Sequence, residues 1–346
     1  MLEKEKNREN KEPNHELNQE GKKEGAEENN KKETTVSPGG MRALKAVEML
    51  NHMPGIGPKA QSGELRRRFT AMEHHWNVPE GLRHEVLELS NCQMEWLEPE
   101  DGEGKKLVVL QLHGGGYYGR LHNTYRNMAA LYQKISGGAV ASLDYRVAPE
   151  HPYPAAFEDA VEAYQYLLAQ GYAGDEIFVA GDSAGGGLAL ALTLYLRDEL
   201  LPLPAAVITM SAWTDLTLSG DSYTENFNTD PMFGGSTDTL VYHNAYPGEH
   251  DPREPYISPL FGDFTGFPPM LMQVGEREML LSDTLEVARK AKICGVRVKE
   301  QIFPGMFHVF QMGLTRYPEA EQAWKQVRKF IRGIAYMDAA GNEKTE

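Results

Sequence analysis

Cysteine is nearly absent from this chain: 346 residues contain two, Cys92 and Cys294. Their isolation offers no metal-ligand spacing, and nothing in the sequence calls for a disulfide between them. No apolar stretch approaches the ~20 residues that a membrane-spanning helix needs. The opening Met1-Leu2-Glu3-Lys4-Glu5-Lys6 lacks the apolar core of a signal peptide, so a cytoplasmic protein is expected. Basic charge is in deficit, with 35 Lys and Arg against 50 Asp and Glu and a formal net charge of −15. That balance disfavours nucleic acid and anionic membrane surfaces as partners. Large apolar side chains are almost missing from residues 1–40, which are rich in Lys, Glu and Asn. Such a segment cannot offset its ordering entropy by burial, and a disordered charged tail is expected there.

What is present is a chain large enough for one α/β core, with 41% hydrophobic and 9% aromatic residues. Apolar side chains at Leu44, Val47, Leu50, Leu65, Phe69 and Trp76 flank Met53-Pro54-Gly55-Ile56-Gly57-Pro58. Two amphipathic helices with a break between them are the expected structure of residues 41–80. From there strands are expected near 84–90, 93–98, 107–112, 139–144, 177–181, 206–211, 270–275 and 297–303. Helices are expected near 124–137, 155–170, 184–199, 282–294 and 318–336. The alternation implies a mostly parallel eight-stranded sheet with helices on both faces and ligand chemistry at the carboxyl ends of its strands.

Two glycine-rich turns stand out against this background. Gly181-Asp182-Ser183-Ala184-Gly185-Gly186 lies between the apolar run Ile177–Ala180 and a long Ala/Leu helix. A strand turning sharply into a helix needs small neighbours, and the turn exposes the serine hydroxyl at the helix N-terminus. Upstream, His113-Gly114-Gly115-Gly116-Tyr117 follows the strand Leu107–Leu112. Consecutive glycines let a backbone approach a ligand closely and aim N–H groups at it. Neither the G-x-G-x-x-G spacing of a dinucleotide loop nor a Gly-Lys-Ser/Thr phosphate loop accompanies them.

Together these motifs resemble the hormone-sensitive-lipase-like branch of the α/β-hydrolases, the HGGG-type carboxylesterases, over about residues 75–335. The segment Asp144-Tyr145-Arg146-Val147-Ala148-Pro149-Glu150 is similar to the family's DYRLAPE-type stretch, with Val147 in place of leucine. Gly305-Met306-Phe307-His308-Val309-Phe310 is similar to its G-x-x-H-x-F ending. The resemblance implies Ser183 as nucleophile and His308 as its base. It implies backbone N–H groups of Gly115, Gly116 and Ala184 as the oxyanion hole, with His113 structural and Asp182 a helix-start residue or a support behind the site, not a member of the triad. The acid departs from the usual Asp-x-Leu: Glu278 stands two before Leu280, with Asp283 and Glu276 as further candidates.

Residues 41–80 and an insertion at about 213–250, within a core spanning 81–346, are expected to form the family's helical cap. The implied function is hydrolysis of short- to medium-chain acyl esters, acetyl or butyryl esters first, with no metal or cofactor. An amidase or formamidase on the same fold is an alternative. A binding protein resembling the gibberellin receptors is another, although those lack the catalytic histidine. Relatives also suggest a homodimer through the strand near 297–303.

Overall fold

The computed structural model describes residues 36–51 and 75–336. The first helix, α1 (Pro38–Asn51), starts on a side-chain cap, since Gly40 N–H donates to Ser37 Oγ at 3.0 Å. Ser37 in turn donates through its N–H and its hydroxyl to the Glu319 carboxylate, at 2.6 and 2.8 Å. The second helix expected before residue 80 falls within 52–74, outside the described residues, as does most of the expected tail.

Among the described residues eight strands build one sheet: β1 (Leu82–Glu88), β2 (Gln93–Pro99), β3 (Val108–Leu112), β4 (Ala139–Asp144), β5 (Ile177–Asp182), β6 (Ala206–Met210), β7 (Met270–Gly275) and β8 (Val298–Phe303). Their spatial order is β1-β2-β4-β3-β5-β6-β7-β8. Only the pairs β1–β2 and β2–β4 are antiparallel; the remaining five are parallel. Parallel strands need crossovers that cover both faces, and that explains why β3, β5, β6 and β7 are buried along their whole length.

Side chains alternate across the sheet, and each face has its own helices. Val109, Val140, Phe178, Ala180, Ile208 and Leu271 point to one face. There they meet α2 (Asn123–Ser136) and α7 (Pro318–Ala335), whose Tyr132 and Trp324 rings pack edge to face at 4.8 Å. Val108, Leu110, Leu143, Val179, Val207 and Met272 point the other way. That face is covered by α3 (Ala155–Ala169), α4 (Ser183–Asp198) and α6 (Leu281–Ile293). The fold is therefore the mostly parallel sheet with helices on both faces expected from the alternation, and the α/β-hydrolase architecture that the resemblance implies, with element ends displaced by one or two residues.

The segment 213–250 differs from a helical insertion. It holds one four-residue helix, α5 (Ser222–Glu225), and otherwise runs through turns. The reason is local: Asp215 accepts from the N–H groups of Thr217 and Ser219, and Asp230 from those of Met232 and Phe233. Aspartate side chains that bond nearby backbone in this way stabilise turns in competition with helix.

The β5–α4 turn brings backbone against backbone. A Cβ on Gly181 would lie 2.2 Å from the Gly185 carbonyl oxygen, and one on Gly185 would lie 2.1 Å from that of Leu112. Backbone cannot yield as a flexible side chain does, so Gly185→Ala should cost about 3 kcal/mol or more, lowering Tm by roughly 5–10 °C. Calorimetry showing a wild-type Tm for this variant would refute the assigned chain path.

Candidate active site

Four loops at the carboxyl ends of β3, β5, β7 and β8 converge on Ser183. This residue opens α4 with φ +51°, a conformation that L-residues rarely adopt. Its carbonyl accepts from Trp213 N–H at 2.9 Å, so the chain leaving β6 braces the turn. The hydroxyl sits at the helix N-terminus, where unpaired N–H groups favour negative charge.

His308 lies in the turn beyond β8, with Nε2 2.8 Å from Ser183 Oγ. Its Nδ1 lies 2.8 Å from Glu278 Oε2, in the loop after β7. The other oxygen of Glu278 accepts from Gly275 N–H at 2.5 Å and from Ser211 Oγ at 2.7 Å. Ser211 Oγ also accepts from Val309 N–H at 3.1 Å, so one hydroxyl joins the carboxylate to the residue following His308. All of these side chains are buried, and Ser183 keeps 6% exposure.

Among the three acids considered, the structure brings only Glu278 to the imidazole. Asp283, at the start of α6, accepts instead from Thr214 N–H at 2.6 Å and Asp215 N–H at 2.9 Å. Burial first, and the neighbouring Asp215 carboxylate, push its pKa to about 8 against those two donors. Glu276 faces outward and accepts from Gly305 N–H at 2.8 Å.

The glycine loop after β3 lies against the serine. A Cβ on Gly114 would stand 3.1 Å from Ser183 Cβ, and Gly114 N–H donates to Asp182 Oδ1 at 3.2 Å. Gly115 and Gly116 take φ +108° and +64°. Among the described residues, no turn, loop or side-chain hydrogen bond uses the N–H groups of Gly115, Gly116 or Ala184. His113 is fully buried, donates from Nδ1 to the Gly114 carbonyl at 2.8 Å and stacks on Tyr145 at 4.0 Å. Burial lowers its pKa to about 4, so its imidazole is neutral. The Asp182 carboxyl is raised to about 7 by burial and makes no hydrogen bond to His308.

The 213–250 segment closes over these groups. The Phe233 ring meets His308 at 4.8 Å, nearly edge on. A methyl carbon of Leu240 is 2.6 Å from where a Cβ on Gly116 would stand, and Asn244 Nδ2 donates to the Gly116 carbonyl at 2.9 Å. Ser211, Phe233 and Leu240 carry no sequence signal of their own; only the packing reveals them. Among the described residues no group of three or more His, Cys, Asp or Glu is placed to hold a metal. Nor is any described helix long and apolar enough to cross a membrane.

Comparison with known proteins agrees with this fold. Residues 109–312 match a family model described as alpha/beta hydrolase fold. An acetyl-hydrolase of Streptomyces hygroscopicus is 35% identical over 84% of this chain and 97% of its own length. An esterase of Acinetobacter venetianus is 35% identical over 66% of this chain and 75% of its own. Among solved structures, an esterase from the bacterial hormone-sensitive lipase family superposes with TM-score 0.79 at 34% identity, covering 87% of this chain and 99% of that one. The protein EstE5, in crystals soaked with p-nitrophenyl butyrate, gives TM-score 0.77 at 35% identity, over 86% and 98% of the two chains. The chain belongs to the hormone-sensitive-lipase-like family of α/β-hydrolase-fold esterases.

Proposed function

We propose that this carboxylic ester hydrolase cleaves short- to medium-chain acyl esters by two-step acyl transfer through Ser183, His308 and Glu278. The observation that carries the reading is the unbroken run of contacts from Ser183 Oγ through both imidazole nitrogens to a buried carboxylate. A serine hydroxyl is a poor nucleophile until a base within hydrogen-bond reach takes its proton. Here Nε2 of His308 takes that proton as Oγ attacks the ester carbonyl carbon. Glu278 holds the Nδ1–H tautomer and stabilises the imidazolium. The oxyanion forms against the N–H groups of Gly115, Gly116 and Ala184, each such donor contributing about 3–4 kcal/mol to the transition state. His308 then protonates the departing alcohol. A water that gives its proton to the same imidazole attacks the acyl-enzyme and releases the acid.

The preference for short acyl groups is supported by Leu240 against Gly116 and by Phe233 against His308, two bulky side chains beside the reacting groups. It is supported also by the acetyl-hydrolase among the relatives and by the butyrate ester soaked into EstE5. A cytoplasmic setting suits two unpaired thiols, one of them buried. A homodimer is proposed through β8, which ends the sheet and leaves one edge without a strand partner among the described residues.

Turnover of p-nitrophenyl esters from acetate to palmitate should peak at acetate or butyrate and fall by about 10⁴-fold or more in Ser183→Ala. A maximum at palmitate, or wild-type-like turnover without the serine hydroxyl, would refute the reading. Matched anilides should react far more slowly than the esters; the reverse order would favour an amidase. Glu278→Gln should lower kcat by roughly 10²–10⁴-fold. Asp283→Asn should stay within about tenfold of wild type, because an amide oxygen still accepts the two N–H groups of Thr214 and Asp215. A larger loss in Asp283→Asn than in Glu278→Gln would mean that the acid is misassigned.

A further inference from the structure

The turn that places Phe233 over His308 also grips the loop that carries Glu278. Asp230 is 4% exposed, and its carboxylate accepts three backbone N–H groups. Oδ1 takes those of Met232 at 2.7 Å and Phe233 at 3.0 Å, within its own turn. Oδ2 takes that of Met279 at 2.7 Å, forty-nine residues away in sequence. Asn226, just beyond α5, donates from Nδ2 to the carbonyl of Glu278 at 2.8 Å and to that of Glu276 at 3.0 Å. The Glu278 carbonyl and the Met279 N–H belong to one peptide unit. Two side chains of one short stretch therefore hold that plane at its acceptor and at its donor.

A planar peptide fixed at both ends cannot rotate without breaking a buried hydrogen bond. This matters more for a glutamate than for an aspartate, because its extra methylene adds a rotatable bond that must be held for the carboxylate to meet Nδ1. The same Asp230 oxygen that orders the turn sets the backbone of Phe233, whose ring packs against the other partner of that contact. Burial raises the Asp230 pKa, and its three N–H donors together with His308 oppose the shift.

We propose that Asn226 and Asp230 form a clamp on the Glu278–Met279 peptide and act as positioning residues for the His308–Glu278 contact. The inference rests on the Ser183–His308–Glu278 mechanism above. It assigns to the cap segment a role in the chemistry besides shaping the pocket.

Asp230→Asn is the direct test. The variant keeps nearly the same volume, but its NH₂ group faces the Met279 N–H in one orientation of the amide and the N–H groups of both Met232 and Phe233 in the other. Two quantities are read in the full chain: kcat and KM for p-nitrophenyl butyrate, and the low-field proton resonance of the His308–Glu278 contact, identified by its loss in His308→Gln. The clamp predicts a kcat lower by roughly tenfold to a hundredfold with KM within about threefold, as for loss of one charge-assisted bond. It also predicts that the low-field proton moves upfield or broadens through faster exchange. Wild-type kinetics, a loss confined to KM, or an unchanged low-field proton beside a lowered kcat would overturn it. If Asp230→Asn does not fold, Asn226→Ala leaves the Asp230 turn intact and is read the same way, with a smaller loss of the same kind expected and the same results contradicting it. Absence of Ser183-dependent turnover in the wild type would instead refute the mechanism itself. Ser183-dependent turnover with inert clamp variants would refute the clamp alone.

Discussion

Holding Ser183 in a left-handed backbone conformation at the end of β5 is the constraint on which the rest of the site depends. An L-residue at φ +51° stores about 1–3 kcal/mol, so the surroundings must leave the chain no easier path. Gly181 and Gly185 permit the close approach, the buried β3–β5–β6 strands fix the entry, and Trp213 N–H ties down the serine carbonyl. The same conformation recurs around the site, at Tyr117 beside the glycine loop, Ser211 at the end of β6 and Val309 after His308. Ser211 directly follows β6, and Tyr117 and Val309 lie in the loops beyond β3 and β8, where the chain turns at the mouth of the sheet. Strain gathers at the mouth of the sheet while the apolar layers on both faces supply the stability that tolerates it.

Burial then sorts the ionisable groups. His113 is kept neutral by its fully enclosed stack against Tyr145, so the glycine loop carries no charge of its own. The Asp182 carboxyl, raised by burial, braces that loop through Gly114 without touching the imidazole. Glu278 combines burial with hydrogen bonds from Gly275, Ser211 and His308, and so aligns a carboxylate with the imidazole that reaches Ser183. Position in the hydrogen-bond pattern, rather than proximity in sequence, separates it from Glu276 and Asp283.

The parts legible in the sequence were those that repeat a local rule. Strand and helix positions followed from apolar runs and their alternation, since each buried strand and amphipathic helix writes its environment into its own residues. Ser183 and the glycine loop were legible because sharp turns demand glycine at fixed offsets. Other features arise from contacts across long sequence separations and have no local signature. Ser211 serves by lying between Glu278 and Val309, and Asp230 by meeting Met279. The turns of 213–250 were hidden for a related reason: the resemblance implied a helical cap there, but Asp215 and Asp230 spend their oxygens on nearby backbone.

Covalent trapping tests the central claim most directly, because the mechanism requires that one hydroxyl become acylated. The intact chain treated with diethyl p-nitrophenyl phosphate should lose its esterase activity in step with the gain of one diethylphosphoryl group. Peptide mass mapping should locate that group on Ser183. Full inactivation with the label on another residue, or activity that persists when Ser183 is fully labelled, would contradict the account.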